Sequence, residues 1–286
     1  MNMPVRGAVV VTGASTGIGA ATALHLDRLG FRVFAGVRKV SDGAALKAGA
    51  SDRMTIVLLD VTDEASVAGA ARAVREAVGQ DGLAGLVNNA GISVNAPLEF
   101  LPLDQLRRQF EVNVVGQVAV TQAFLDLIRK AKGRIVNIGS TSGRLSIPMG
   151  GPYCASKFAM EALSDSLRME VAPWGIEVSL VEPGAIDTPI WEKSLAAGDE
   201  LLESLPARMM DLYGSLVNRV KDGARASARA AAPAQQVADS VAHALTARKP
   251  RTRYLVGKDA RIQMLLTWLP DRWRDKIILK MIEKAI

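Results

Sequence analysis

The stretch Val9-Val10-Val11-Thr12-Gly13-Ala14-Ser15-Thr16-Gly17-Ile18-Gly19 decides the fold. Three β-branched residues make a short strand. Three glycines follow, and Ala20–Leu29 continues with helical periodicity. A glycine trio alone would equally serve a tight structural turn. The strand before it and the helix after it favour a phosphate-binding turn. Glycine lets the backbone bend sharply and come close to a ligand. The helix N-terminus then offers free N–H groups and the positive end of its dipole. The spacing is G-x-x-x-G-x-G, which departs from the commoner G-x-G-x-x-G dinucleotide fingerprint.

The same alternation runs down the chain. Val33–Gly36, Thr55–Leu59, Leu86–Asn88, Ile135–Ile138 and Val178–Val181 are short apolar runs. Helical patterns separate them, as in Glu64–Val78 and Ala155–Val171. Continuous apolar strands between helices predict a parallel sheet covered on both faces. The fold class is α/β: a Rossmann-like, doubly wound parallel sheet in three αβα layers. After residue 190 the pattern changes. Residues 190–232 are polar, mixed, and rich in alanine and arginine. Pro233 opens a helix to about Ala247, and Tyr254–Val256 reads as one more strand. Residues 260–285 read as two amphipathic segments broken at Pro270. We expect one domain over 1–286. Its core is 1–189, a substrate lid spans 190–232, and 233–286 holds the last helix and strand and a helical C-terminal extension.

Composition narrows the functional classes. At ~150 residues per domain, 286 residues allow one or two domains. Hydrophobic residues are 49% and charged residues 22%, as in folded proteins. The net charge of +6 is local. Residues 248–286 hold eleven Lys/Arg and four Asp/Glu, leaving 24 basic against 25 acidic residues elsewhere. With 5% aromatics, this gives no basis for a nucleic-acid surface. Cys154 is the single cysteine, so no intramolecular disulfide forms, and two histidines leave no Cys/His zinc site. Residues 7–24 are uncharged after Arg6, as in a signal peptide. Their glycines and hydroxyls suit a strand–turn–helix instead, so a cytoplasmic protein is expected.

The glycine spacing resembles that of the short-chain dehydrogenase/reductase family. The resemblance continues in order through Leu59-Asp60-Val61-Thr62, Asn88-Asn89-Ala90-Gly91, Asn113, Ser140, Tyr153-x-x-x-Lys157, and Pro183-Gly184 followed by Thr188. It covers residues 7 to about 190. The C-terminal extension and Ala-Pro-Trp-Gly-Ile at 172–176 are further similar to retinol and 17β-hydroxysteroid dehydrogenase-like members. The family implies an NAD(P)-dependent oxidoreductase with Asn113, Ser140, Tyr153 and Lys157 as catalytic residues.

Tyr153 and Lys157 are four apart and share a helix face. A phenol of pKa ~10 is a poor acid–base catalyst at neutral pH. A nearby ammonium is expected to lower it, and Lys157 could also reach the ribose hydroxyls of the cofactor, which Tyr153 and Lys157 are both expected to contact. In isolation the pair would read as a surface tyrosine and a solvated lysine; Ser140 and the glycine turn tip the balance. Ser140 could hold a carbonyl oxygen while Tyr153 protonates it. Thr141 and Ser142 are its neighbours; by resemblance, the thirteen-residue offset to Tyr153 matches the family pattern and selects Ser140. By resemblance, Asn113 holds a water that links Lys157 to solvent.

The cofactor follows similarly. Gly13, Ser15, Thr16, Gly17, Ile18 and Gly19 would cradle the pyrophosphate. In relatives that use NAD an acidic residue ends the second strand. Val37 stands there instead, and Arg38 follows. A guanidinium binds a 2′-phosphate by forked, charge-assisted bonds. NADP(H) is therefore expected, with NAD(H) as the alternative; a solvated Arg38–Lys39 pair is the bland reading. The family further places Asp60 and Val61 at the adenine and Asn89, Ala90 and Gly91 at its ribose. Pro183, Gly184, Ile186 and Thr188 fall at the nicotinamide.

Other residues read structurally: Cys154 as a small buried residue, His25 and His243 as packing or helix surface, Trp174 as a loop anchor. Met149, Trp191, Leu195, Met209, Met210 and Leu212 are candidates for a pocket wall or for core. The expected reaction is carbonyl–alcohol interconversion on a small apolar substrate, steroid-, retinoid- or lipid-like. A ketoacyl-thioester or small carbonyl reductase is the alternative, and a non-catalytic NADP(H) sensor is the alternative of another class. The helix bearing Tyr153 serves subunit pairing in the family, so a homo-oligomer is expected. In the extension, Ile262, Leu265, Leu266, Leu269, Trp273, Ile277, Met281 and Ile282 form an apolar stripe. Arg261, Arg272, Arg274, Lys276, Lys280 and Lys284 surround it. Such a stripe either braces the lid or meets an anionic membrane surface; bracing is the favoured expectation.

Overall fold

The computed structural model describes residues 6–283, so Lys284 lies outside the described residues. In chain order the strands are β1 (Ala8–Val11), β2 (Arg32–Val37), β3 (Met54–Leu58), β4 (Gly85–Asn88), β5 (Arg134–Ile138), β6 (Glu177–Pro183), β7 (Ile186–Asp187), β8 (Ala232–Pro233) and β9 (Arg253–Val256). The helices are α1 (Gly17–Arg28), α2 (Ala44–Ala48), α3 (Glu64–Val78), α4 (Leu103–Phe110), α5 (Gly116–Ala131), α6 (Gly151–Val171), α7 (Ile190–Glu203), α8 (Ala207–Arg229), α9 (Ala234–Thr246), α10 (Lys258–Leu266) and α11 (Asp271–Glu283). Seven parallel strands form the sheet in the order β3-β2-β1-β4-β5-β6-β9. The chain steps outward from β1 to β3, then restarts at β4 on the other side of β1. That reversal opens a crevice at the carboxyl ends of β1 and β4, where such sheets bind ligands.

Strand alternation sorts the core into two layers. Val9, Val11, Val33 and Val136 face α1 and α9, meeting Ala23, Leu26, Val237 and Val241. Val10, Phe34, Leu86 and Ile135 face α3 and α5, meeting Val67, Val74, Phe124 and Ile128. Both faces are covered, which is why the strands read as unbroken apolar runs.

The differences from expectation lie mostly after residue 183. The mixed stretch 190–232 forms two helices, α7 and α8, whose Leu202, Met209 and Val217 close on Met149 and Phe100. Met210 and Leu212, candidates for a pocket wall, face solvent instead. This stretch is rooted by a two-residue parallel ladder, Ile186 with Ala232 and Asp187 with Pro233. Two-residue strands carry no periodicity, so nothing local announces them. Helix α6 begins at Gly151 with Pro152 in its first turn, so Tyr153 lies inside it. The apolar stripe of the extension does not stay on one face. Ile278 is buried and Leu266, Leu269, Ile277 and Ile282 are half-buried. Ile262, Leu265, Trp273 and Met281 are exposed, together with Trp268 at 86%. The turn at Pro270 gives α10 and α11 separate faces, so only part of the stripe packs inward. Among the described residues no helix is long and apolar enough to cross a membrane.

Candidate active site

The glycine turn is held by a residue that pattern reading passed over. Thr12 is fully buried. Its hydroxyl accepts from the backbone N–H groups of Asn89 (2.9 Å) and Ala90 (3.0 Å). The Asn89 amide donates back to the carbonyls of Thr12 (2.9 Å) and Gly13 (3.1 Å). This clamp joins the ends of β1 and β4, and it commits the Asn89 side chain to the backbone. A Cβ at Gly13 would stand 2.8 Å from the Ala90 Cα, and one at Gly19 would stand 2.2 Å from the Gly13 carbonyl oxygen. Only glycine fits at either position.

The start of α1 fits an anion. Thr16 caps the helix without a side-chain hydrogen bond, and the first turn carries no acidic residue. Its N–H groups and dipole therefore remain available to a pyrophosphate. Ser15 is half-buried and Thr16 is exposed beside them. Ile18 packs on the core below. Gly17 has φ +57°, and a Cβ there would lie 3.1 Å from the Thr188 side chain. The loop after β6 thus closes on the turn from the far side. Arg38 is exposed just past β2. Asp60 accepts from the Thr62 N–H and hydroxyl at 3.0 and 2.8 Å through one oxygen. The Val61 side chain is buried in the core.

Asn113 sits in a single π-turn, Glu111–Val115, between α4 and α5. Such turns interrupt the helical ladder and recur at functional sites. Its side chain accepts from the Ile92 N–H (2.8 Å) and donates to the Ile92 carbonyl (3.0 Å) and Ser156 hydroxyl (3.2 Å). It pins the strand β4 exit to α6.

Ser140 follows β5 and is buried. Its hydroxyl accepts from the Ser142 N–H at 3.1 Å. It also meets the Tyr153 phenol and favours the ionised form. Lys157 is buried, its Nζ 5.7 Å from the Tyr153 ring centre, and it donates to the Ile138 carbonyl at 2.8 Å. The fold thus gathers Ser140, Tyr153 and Lys157 at the carboxyl end of β5.

Electrostatics reverses one expectation. Burial pushes the Tyr153 phenol above its ordinary value, and the Ser140 hydroxyl pulls it back only in part. Burial also lowers the Lys157 ammonium to about 8. The expected lowering of Tyr153 by Lys157 is absent. A lysine stripped of water and turned to a backbone carbonyl holds its charge weakly, so desolvation of the phenol dominates. Cys154, next to Tyr153, is buried with its thiol pushed up, as expected of an inert packing residue.

Asp259, in the first turn of α10, is a second residue that sequence reading missed. Its carboxylate accepts from the Ala185 N–H at 2.7 Å. A Cβ at Gly184 would stand 2.2 Å from that carboxylate. The extension therefore holds the Pro183–Thr188 loop, and Gly184 is glycine because Asp259 is there. The small apolar cluster of α7 and α8 includes Met149, which precedes α6, and Tyr213 of α8 donates to Glu99 at 2.8 Å. Trp191 donates to the Ile186 carbonyl at 2.8 Å, and Leu195 is half-buried on α7.

Comparison with known proteins agrees with this geometry. Residues 7–198 match the family model of the short chain dehydrogenases. Human retinol dehydrogenase 5 is 42% identical over 278 residues, covering 94% of this chain and 85% of that protein. An NADPH-dependent 3-dehydrocapnine reductase of Ornithobacterium rhinotracheale is 36% identical over 281 residues, covering 96% and 97%. A short chain dehydrogenase of Burkholderia cenocepacia, solved with NADP, superposes with a TM-score of 0.71 at 26% identity and 96% coverage of both chains. One from Burkholderia phymatum, solved with NAD, gives 0.77 at 25% identity, covering 93% and 94%. The chain belongs to the short-chain dehydrogenase/reductase family and is an NAD(P)-dependent oxidoreductase of retinol dehydrogenase-like type.

Proposed function

We propose that the protein interconverts a carbonyl and an alcohol on an apolar substrate with NADP(H), using Tyr153 as acid and base. The observation that carries this reading is the meeting of Ser140, Tyr153 and Lys157 beside an anion-ready glycine turn. The nicotinamide supplies or accepts the hydride. Ser140 holds the carbonyl oxygen by a hydrogen bond. Tyr153 transfers the proton at that oxygen, and the Ser140 hydroxyl favours the phenolate that is left. Lys157 orients the phenol from above its ring. Met149, Leu202 and Met209 pack into an apolar cluster between α6 and the helices α7 and α8, which supports an apolar substrate. The match to retinol dehydrogenases runs through the extension, which favours this reading over a ketoacyl-thioester or small carbonyl reductase. The presence of Asn113, Ser140, Tyr153 and Lys157 together favours an enzyme over a non-catalytic NADP(H) sensor.

NADP(H) preference rests on the exposed Arg38 and the absence of a carboxylate at Val37. Val37 is 1% exposed, so an aspartate there would be buried; Arg38→Leu is the cleaner variant. Losing a charge-assisted pair to the 2′-phosphate is expected to lower the NADPH:NADH ratio of kcat/KM roughly 10- to 100-fold. A wild-type ratio that favours NADH would return Arg38 to a solvated loop residue.

We infer a cytoplasmic protein that pairs with a second copy through α6 and rests its extension on an anionic membrane. On α6, Phe158, Leu163 and Met169 are exposed apolar residues. On α10 and α11, exposed Trp268 and Trp273 lie among exposed Lys258, Arg261, Arg272, Lys276 and Lys280. Sedimentation reads both inferences. A dimer or tetramer mass is expected for the protein alone, with co-pelleting on anionic vesicles that salt reverses. A monomer that stays in the supernatant sinks both.

A further inference from the structure

Behind the Ser140 turn lies a charged cluster for which the reaction above has no role. Glu161 follows Lys157 by one turn of α6, and Glu182 precedes Pro183 on β6. Glu182 is 1% exposed and Glu161 8%. Their carboxyls face each other. Arg144, which leaves the Thr141–Gly143 turn, reaches Glu182 Oε1 at 3.2 Å. Arg253 of β9 reaches Glu161 Oε2 at 3.0 Å and Asp165 at 2.7 Å. Arg168 also pairs with Asp165. Glu161 Oε1 is buried with no hydrogen-bond partner among the described residues. It lies 3.2 Å from where a Cβ on Gly143 would stand, a point that is also 2.9 Å from the Lys157 carbonyl oxygen. Three active-site segments therefore meet on this carboxyl pair: the Ser140 turn, the Lys157 turn of α6 and the end of β6.

We propose that Glu161 holds a proton on its unpartnered oxygen, and that Glu161 is thereby a positioning residue for Ser140 and Lys157. This rests on the reading of those two residues as catalytic. Two buried carboxylates that face each other cannot both ionise without a large cost. Arg253 reaches only one Glu161 oxygen, and a proton satisfies the other. With the proton the carboxyls attract; without it they repel. The turn at Gly143 stands against Glu161 with no room for a side chain, so the position of that carboxyl bears directly on the turn. Burial and Glu182 push Glu161 up to about 7, against the pull of Arg253. The charged groups around it are Glu182 from β6, Arg144 from the turn, Arg253 from β9, and Lys157, Asp165 and Arg168 from α6.

The sign of the pH effect follows. A carboxyl whose folded pKa lies above its unfolded value adds stability at low pH, and that stability is lost as pH rises toward about 7. The Tm of the wild-type protein is therefore expected to fall between about pH 5 and about pH 7, and the Tm of Glu161→Gln to stay flatter. In NADPH-dependent reduction, wild-type kcat/KM is expected to fall first through about 7 and again through about 8, where Lys157 loses its proton. Glu161→Gln keeps only the second fall. Glu161→Ala is expected to lower kcat roughly 10- to 100-fold with little change in substrate KM, as displaced catalytic groups do. Superimposable Tm and kcat/KM profiles for Glu161→Gln and wild type overturn the proton on Glu161. A Glu161→Ala kcat near wild type overturns the positioning role. If Glu161→Ala does not fold, the Glu161→Gln kcat/KM profile decides. If wild type shows no NADPH-dependent turnover, the functional reading fails while the Tm comparison still decides on the proton.

Discussion

Tyr153→Phe is expected to lower turnover by the ~100- to 10,000-fold characteristic of losing general acid–base catalysis. It removes one oxygen and keeps the ring. The Lys157 ammonium, 5.7 Å from the ring centre, keeps its aromatic neighbour, and the backbone of α6 is untouched. NADPH affinity is therefore expected to hold within about twofold, since the cation–π contact survives. The comparison is kcat with an apolar ketone against Kd from quenching of protein fluorescence by NADPH. Turnover within a few-fold of wild type would move the acid elsewhere, and Ser140 is the neighbouring hydroxyl to test next.

Lys157→Ala is expected to act on both quantities. It removes the cation above the phenol and leaves the Ile138 carbonyl, now paired at 2.8 Å, without its donor. Turnover should fall by ~100-fold or more with the loss of an oriented proton donor. NADPH affinity should fall about tenfold with the loss of one charged contact. The pH profile separates these effects from a simple cavity. The buried ammonium loses its proton near about 8. Wild-type reduction therefore falls as pH rises through that value, and Lys157→Ala lacks this limb. A variant that binds NADPH normally and keeps the limb would show that Lys157 is only a structural ligand of Ile138.

Much of this was legible in the chain, for reasons that differ by residue. The run Val9–Val11 into Gly13, Gly17 and Gly19 is readable because a strand, a turn and a helix lie within one short stretch. Tyr153 and Lys157 are readable because the helix period puts residues four apart on one face. Ser140 needed the resemblance, since three hydroxyls stand in a row at 140–142. Thr12 was hidden because a hydroxyl before a glycine turn has no local mark of its partners, which lie 77 and 78 residues away. Glu182 did carry a signal: a carboxylate at the end of an apolar strand buried on both faces. Asp259 carried none, because its partner Ala185 comes from another part of the chain.

The sequence by itself determined the alternation of strand and helix, the parallel sheet and the residue types of the catalytic turn. Those depend on periodicity and on backbone freedom, which are local properties. Tertiary structure alone decided which groups lost their water. It raised Tyr153 where its neighbouring lysine was expected to lower it, set Glu161 against Glu182, and turned half of the C-terminal stripe outward. Desolvation and close approach depend on what the rest of the chain places around a group, and no window of sequence contains that.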